Sequence, residues 1–201
     1  MIHIAKLLIK EGAFEINFEK RFRFSSGILS PVYCDNRILL SLPKTRKKII
    51  SAMMEKIVHN KLDFSTISGI ETASIPWASM LAFKLNKVLI YIRKEEKGHG
   101  KGKRIEGRFN KNDKVLLIED LVSTGKSAIS SINALKSEGL IVKYCLVIFS
   151  YNINNVNEKF NSCGVNLITL TDIDEILDVG IKERMMTNAQ KKEIIGSLEV
   201  I

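Results

Sequence analysis

Apolar positions along this chain gather into short unbroken runs, separated by stretches whose apolar residues recur at three- and four-residue spacing. Thr66–Ile70, Val88–Ile92, Val115–Glu119, Lys143–Phe149 and Asn166–Leu170 read as five buried strands. Runs of Val, Ile and Leu suit parallel strands covered on both faces. Between them, Ile75–Leu85, Gly125–Glu138 and Asn154–Asn161 carry helical periodicity, and Lys44–His59 predicts a helix before the first strand. Strand–helix alternation implies an α/β fold built on an open, mostly parallel, doubly wound sheet flanked by helices. Met1–Lys10 reads as a short amphipathic helix, its Lys residues interrupting the apolar positions. The tail after Thr171 also falls outside the alternation. The reading is one domain, with a core over residues 42–170 and a small hood from 1–41 and 171–201. The hood is expected over the carboxyl edge of the sheet, where such folds keep their ligand crevice.

Composition narrows the class. A chain of 201 residues with 45% hydrophobic content can bury a real core and is not a disordered segment. No apolar run approaches the ~20 residues of a membrane span, and the N-terminus lacks the layout of a signal peptide. The cysteines Cys34, Cys145 and Cys163 are odd in number and far apart, with no CxxC pair. That argues against a disulfide framework and a zinc site, and fits a reducing cytoplasm. The net charge of +9 has three readings: nucleic acid, a small polyphosphate substrate, or the Lys-, Ile- and Asn-rich usage of an AT-biased genome.

Local order separates these readings. In Lys114-Val115-Leu116-Leu117-Ile118-Glu119-Asp120-Leu121-Val122-Ser123-Thr124-Gly125-Lys126-Ser127 an apolar strand is predicted to end in two carboxylates, followed by a small hydroxylated turn and a helix. Such a turn points successive backbone N–H groups at an anion, and the helix N-terminus adds partial positive charge. Ser123, Thr124 and Ser127 add hydroxyl donors, while Glu119 and Asp120 are placed to accept from paired sugar hydroxyls. The triphosphatase P-loop needs a Gly where this chain has Asp120, so Gly125-Lys126-Ser127 is not one. The plainer alternative is that the acids cap a helix and the small residues fill a turn.

The segment Ile118–Ser127 resembles the binding motif for phosphoribosyl pyrophosphate (PRPP) of type I phosphoribosyltransferases. The resemblance implies that Glu119 and Asp120 bind the ribose hydroxyls and that residues 121–127, namely Leu121, Val122, Ser123, Thr124, Gly125, Lys126 and Ser127, hold the 5′-phosphate. A second stretch, Arg93-Lys94-Glu95-Glu96-Lys97-Gly98-His99-Gly100-Lys101-Gly102, has many cations, three glycines and little to bury. Read alone it is a lid that a polyanion would order, or a solvated basic tip; few aromatics interleave it, so base stacking on single strands is poorly supported. In its order it resembles the catalytic loop of orotate phosphoribosyltransferases. That implies PRPP contacts from Arg93, Lys97 and His99, and a homodimer in which Lys94 reaches the other subunit's site. His99 is a candidate proton donor.

A third stretch, Phe24-Ser25-Ser26-Gly27-Ile28-Leu29-Ser30-Pro31-Val32-Tyr33, is on physics alone a turn with an aromatic plug or a face for a planar base. It is similar to the family's orotate-binding segment, implying orotate contacts from Ser26, Tyr33 and, across the phosphate loop, Ser123. Gly69–Pro76 matches the loop supporting the pyrophosphate. The chain departs from the family at Ser25, Leu29, Ala73 and Ser74, and Phe149-Ser150-Tyr151 lacks an Arg that some members use.

The implied reaction joins orotate to PRPP, giving orotidine 5′-monophosphate and pyrophosphate, as in pyrimidine (UMP) synthesis. Lys97, His99, Arg93, Lys94 and Asp120 are the expected catalytic residues; Mg²⁺ is expected on PRPP oxygens rather than in a protein cage. The rivals are a phosphoribosyltransferase for another base, a PRPP-sensing regulator that binds nucleic acid and, from Ala73, Ser74 and Leu29, an inactive α/β binding module.

Overall fold

The computed structural model describes residues 3–23, 29–95 and 104–198. Its elements run α1 (Ile4–Lys10), β1 (Phe14–Ile16), β2 (Phe22–Arg23), β3 (Leu29–Ser30), β4 (Val32–Cys34), a 3-10 helix (Asn36–Ser41) and α2 (Pro43–His59). They continue with β5 (Thr66–Ile70), α3 (Ser74–Leu85), β6 (Val88–Ile92), β7 (Ile105–Glu106), β8 (Lys114–Val122) and α4 (Lys126–Ser137). The last are β9 (Ile141–Ser150), α5 (Val156–Ser162), β10 (Asn166–Asp172), α6 (Ile173–Lys182) and α7 (Asn188–Leu198).

Local chemistry sets several boundaries. Pro43 opens α2, where a missing N–H costs nothing. Asn86, left-handed at φ 50°, closes α3. Asp172 caps α6 by accepting from the Glu175 N–H at 3.0 Å, with Asp174 and Glu175 in the first turn and Lys182 in the last.

The main sheet has six strands in the order β10-β9-β8-β5-β6-β7, all parallel except the edge strand β7. The chain leaves β5 for β6 on one side, then returns to lay β8 on the other. The topological switch point therefore lies between β5 and β8, and a ligand crevice is expected at their carboxyl ends. Both faces of the sheet are covered. Leu116, Ile118, Leu146 and Ile148 pack with α1, α2, α3 and α6, whereas Val115, Leu117, Cys145 and Val147 pack with α4 and α5. Double coverage explains why these strands read as continuous apolar runs rather than alternating ones.

Three expected strands extend outward, among them β9, which runs Ile141–Ser150 rather than Lys143–Phe149. β8 does not stop at Glu119: the ladder with β9 continues through Glu119↔Val147, Leu121↔Phe149 and Val122↔Ser150. Its pairing with β5 ends at Gly69↔Ile118. The carboxylates thus stand inside a strand, at the level where one neighbour has run out. β10 likewise reaches Asp172 rather than ending at Leu170.

The terminal segments pack together. α1 lies against α6 and β10, and α7 touches β3. Lys6 pairs with Glu183 at 2.7 Å and Arg21 with Glu193 at 2.5 Å, exposed pairs that register the contact more than they stabilise it. Two bonds, one buried and one partly buried, tie the N-terminal segment to the carboxyl ends of β8 and β9. The Cys34 N–H donates to the Tyr151 hydroxyl at 3.0 Å, and Asn36 Nδ2 donates to the Asp120 carbonyl at 2.7 Å.

Candidate active site

The corner from β8 to α4 is fixed by Gly125. Its φ of +78° is a left-handed conformation that a side chain disfavours, and a Cβ there would lie 3.1 Å from both Phe160 and Val156 of α5. The turn therefore packs closely against α5 and cannot open outward. Gly125 also stands at the N-cap of α4, directly before Lys126, and no side chain caps this helix. The first-turn N–H groups of α4 are left to an external acceptor, where the helix dipole favours an anion. Glu119 and Asp120 do not cap α4, which removes the capping part of the plainer reading of this segment. Glu119 and residues 121–128 line a cavity of about 210 Å³ around this turn.

The two acids differ in environment. Glu119 is 7% exposed, while Asp120 is partly exposed beside it. Burial, and then the neighbouring Asp120, push the Glu119 carboxyl well above the usual carboxylate range. Ser74, the first residue of α3 and itself 1% exposed, donates its hydroxyl to Glu119 Oε1 and accepts the Asp120 N–H at 3.1 Å. Its oxygen lies 3.3 Å from Asp120 Oδ1. This approach depends on Gly69, where a Cβ would lie 2.9 Å from the Ile75 backbone and 3.0 Å from Ala78. Without a side chain on β5 at that point, the first turn of α3 lies directly on the strand.

The turn after β5 meets the stem of the basic loop. The Glu71–Thr72 peptide is cis. The Glu71 N–H donates to the Ile92 carbonyl at 2.9 Å, and Glu71 Oε2 accepts the Lys94 N–H at 3.2 Å. Arg93 stands at the end of β6 with its guanidinium 3.7 Å from Glu106. Its N–H bonds the Arg104 carbonyl at 2.9 Å, and Arg104 Nε returns a bond to the Arg93 carbonyl at 3.0 Å. Lys94 itself is exposed. Lys97 and His99 lie outside the described residues, as does Ser26.

Tyr33, on β4, is partly exposed and stacks on Phe22 with ring centroids 5.5 Å apart. Asn36 and Tyr151 join its strand to the end of β8 and β9, so the candidate base-binding residue and the acid pair belong to one bonded unit. Arg37, held by Asp35 through bonds of 2.7 Å from Nε and from Nη2, is an exposed cation near the same corner. Sequence reasoning did not single out Asn36, Arg37, Glu71 or the bonding of Ser74. Only Ser74 left a signal, a hydroxyl where the family has Gly.

Comparisons with known proteins agree with this geometry. The phosphoribosyl transferase domain family matches residues 39–183. The orotate phosphoribosyltransferase of Coxiella burnetii is 39% identical over 193 residues, 96% of this chain and 92% of that protein. That of Fusobacterium nucleatum is 40% identical over 191 residues, 95% of this chain and 90% of that protein. The crystal structure of orotate phosphoribosyltransferase from Aeropyrum pernix superposes with a TM-score of 0.79 at 33% identity, covering 92% of this chain and 99% of that one. A chain that matches these proteins along nearly its whole length, and carries an uncapped helix at the switch point of a doubly wound sheet, belongs to the phosphoribosyltransferases, within the orotate phosphoribosyltransferase family.

Proposed function

We infer that this chain transfers the 5-phosphoribosyl group of PRPP to orotate, releasing pyrophosphate and forming orotidine 5′-monophosphate for pyrimidine synthesis. The observation that carries the reading is the open N-terminus of α4 beside Glu119 and Asp120. It offers donors for a 5′-phosphate and acceptors for a ribose within one rigid corner.

In this reading residues 121–127 seat the phosphate, and Asp120 and Glu119 hold the ribose hydroxyls while positive charge grows at the anomeric carbon. Orotate arrives already nucleophilic, so the protein aligns and shields rather than activating a Ser or Cys. Tyr33, Ser26 and Ser123 line the base side. Arg93, Lys97 and His99 neutralise the departing pyrophosphate, with Lys94 supplied by the partner subunit and His99 able to deliver a proton.

Among the described residues no group of three His, Cys, Asp or Glu could hold a metal. The donors present, an adjacent acid pair with Glu119 Oε1 bonded to Ser74, suit an ion carried in on substrate oxygens with its own waters. Mg²⁺ so bound would supply charge neutralisation on the pyrophosphate. Phe83, Val88 and Leu89, at the α3–β6 junction, are 90%, 49% and 39% exposed and offer an apolar area for a second copy. No described helix is long and apolar enough to cross a membrane. The free cysteines suit a reducing compartment such as the cytoplasm.

The test is orotate consumption followed by ultraviolet absorbance with purified protein, PRPP and Mg²⁺, beside Lys97→Ala. Loss of absorbance that needs every component and largely disappears in the variant is the expected result. Turnover of a purine or uracil instead would move the substrate, and PRPP binding with no turnover of any base would favour a regulator.

A further inference from the structure

Two adjacent carboxylates, one of them buried, present a structural difficulty that the strand cannot solve alone. Mutual repulsion favours turning them apart or protonating one. On β8 the ladder bonds fix the main chain but not the direction of either side chain. In this protein the fixing group comes from another element. Ser74 Oγ has one proton and two lone pairs. The proton is given to Glu119 Oε1 and a lone pair takes the Asp120 N–H at 3.1 Å, so one buried hydroxyl holds the side chain of one acid and the main chain of the next. The Asp120 N–H is shared with Glu119 Oε1 at 3.1 Å, closing a three-membered network of Ser74, Glu119 and Asp120.

The position of the hydroxyl matters as much as its bonds. Ser74 follows directly on the turn Glu71–Ala73, whose Glu71 holds the Lys94 N–H at the foot of the basic loop. Gly69 lets the first turn of α3, at Ile75 and Ala78, lie directly on β5, which keeps Ser74 beside the end of β8. The turn that the family resemblance assigns to pyrophosphate therefore adjoins, through Ser74, the acids expected to grip the ribose.

We propose that Ser74 is a positioning residue, which orients Glu119 and Asp120 for the ribose of PRPP and couples the pyrophosphate turn to them. The proposal rests on the orotate phosphoribosyltransferase reading of the same site. A hydroxyl in place of the family's Gly is then a substitute means of ordering the acids, not a loss of backbone freedom.

The experiment compares wild type, Ser74→Ala and Ser74→Thr by steady-state kinetics, PRPP calorimetry and thermal melting. A hydrogen bond to a charged group is worth enough to change affinity by about tenfold or more. Ser74→Ala is expected to weaken PRPP binding and raise the KM for PRPP by about that factor. The KM for orotate should change less than about twofold and the melting temperature by only a few degrees. Ser74→Thr, which restores the hydroxyl, is expected to recover most of the PRPP affinity.

PRPP affinity in Ser74→Ala within about twofold of wild type would overturn the proposal. So would equal losses for both substrates accompanied by a large drop in melting temperature, the signature of general packing damage. A folded Ser74→Thr that recovers nothing would also overturn it. If wild type does not turn over orotate, the functional reading fails by itself. The calorimetric comparison with PRPP still decides the role of Ser74.

Discussion

The β8–α4 corner and the β6–β7 stem both gather groups suited to a polyanion, yet they are built in opposite ways. The corner belongs to a central strand: Val115 through Glu119 are all buried, and Gly125 is wedged against Phe160 and Val156. The stem is the sheet's edge, where among the described residues β6 and β7 pair through Tyr91↔Glu106 and Ile92↔Ile105. Beyond that pairing it is held by polar bonds: Arg93 with Arg104, Arg104 Nη1 with Ser130 Oγ at 3.1 Å, and the Lys94 N–H with Glu71. Apolar packing fixes a conformation that water cannot compete for. Polar bonds at a surface can be exchanged for bonds to water or phosphate at little net cost. The corner is thus preorganised, while the polar partners beyond the buried Ile92–Ile105 pair are exchangeable, which suits the lid proposed for the basic loop.

If the corner is preorganised, its largest single contribution is charge placed against the growing positive centre. Asp120→Asn keeps the shape and the main-chain bonds to Ser74 and Asn36 but removes that charge. We expect kcat to fall about 10²- to 10³-fold, with circular dichroism and melting temperature nearly unchanged. A loss of only a few-fold would mean that Asp120 is not facing the reacting sugar. Gly125→Ala tests the shape instead of the charge. A Cβ at φ +78° with neighbours at 3.1 Å has nowhere to go without moving α5 or the turn. PRPP binding by calorimetry is expected to weaken about 30-fold or more, and the melting temperature to drop by about 2–8 °C, for ~1–2 kcal/mol of strain and overpacking. An unperturbed Gly125→Ala would show the corner to be as yielding as the stem.

How much of this contrast could be read from sequence follows from the same physics. Thr66–Ile70 and Val88–Ile92 are placed to the residue because each is bounded by turn residues and packed in the parallel sheet. β8 was expected to stop at Glu119 because charged residues ordinarily mark a strand's exit. Here Glu119 keeps its place in the ladder opposite Val147, its burial made tolerable by a hydroxyl from α3. Nothing near Glu119 in sequence announces Ser74, which lies 45 positions away. The Asn36–Asp120 bond spans 84 positions and was hidden for the same reason. Gly125, by contrast, is legible as a turn residue from its local chemistry, although its close fit against Phe160 and Val156 of α5 is not. The short pairings β1–β4 and β2–β3 and the tail helix α7 carry too weak a periodicity to be read. By contrast α6, with Ile173, Ile176, Leu177 and Gly180 buried at helical spacing, carries a readable pattern that the tail's place outside the strand–helix alternation left unassigned.

The stem yields smaller effects of a different kind. Glu71→Ala frees the Lys94 N–H and cuts the described side-chain link between the pyrophosphate turn and the foot of the loop. Because the bond is exposed, stability should not change measurably. A fall in kcat of about threefold to tenfold is expected, with PRPP affinity held within about twofold, as for a defect in closure rather than in the cradle. Rapid-quench measurement of the chemical step against steady-state turnover checks this. Equal loss of binding and turnover would place Glu71 in the cradle and erase the contrast.

The smallest effect concerns stability and runs opposite to activity. The folded-state pKa of Glu119 is raised, chiefly by burial and then by Asp120, so between its unfolded and folded values the native protein binds more protons than the unfolded chain. Stability from this group is fully present below the ordinary carboxylate value of ~4.3 and is lost as pH rises through the folded value. Glu119→Gln keeps an oxygen to accept from Ser74 and carries no charge to bury. At pH 7–8, above the ordinary carboxylate range, it should melt higher than wild type, while losing most of its turnover. Near pH 4.5 the advantage should shrink towards zero, because the wild-type carboxyl is then protonated in the folded protein. A melting difference independent of pH would show that Glu119 is not held out of its ordinary range. The strain of the acid pair would then be relieved by solvent and not by the packed corner.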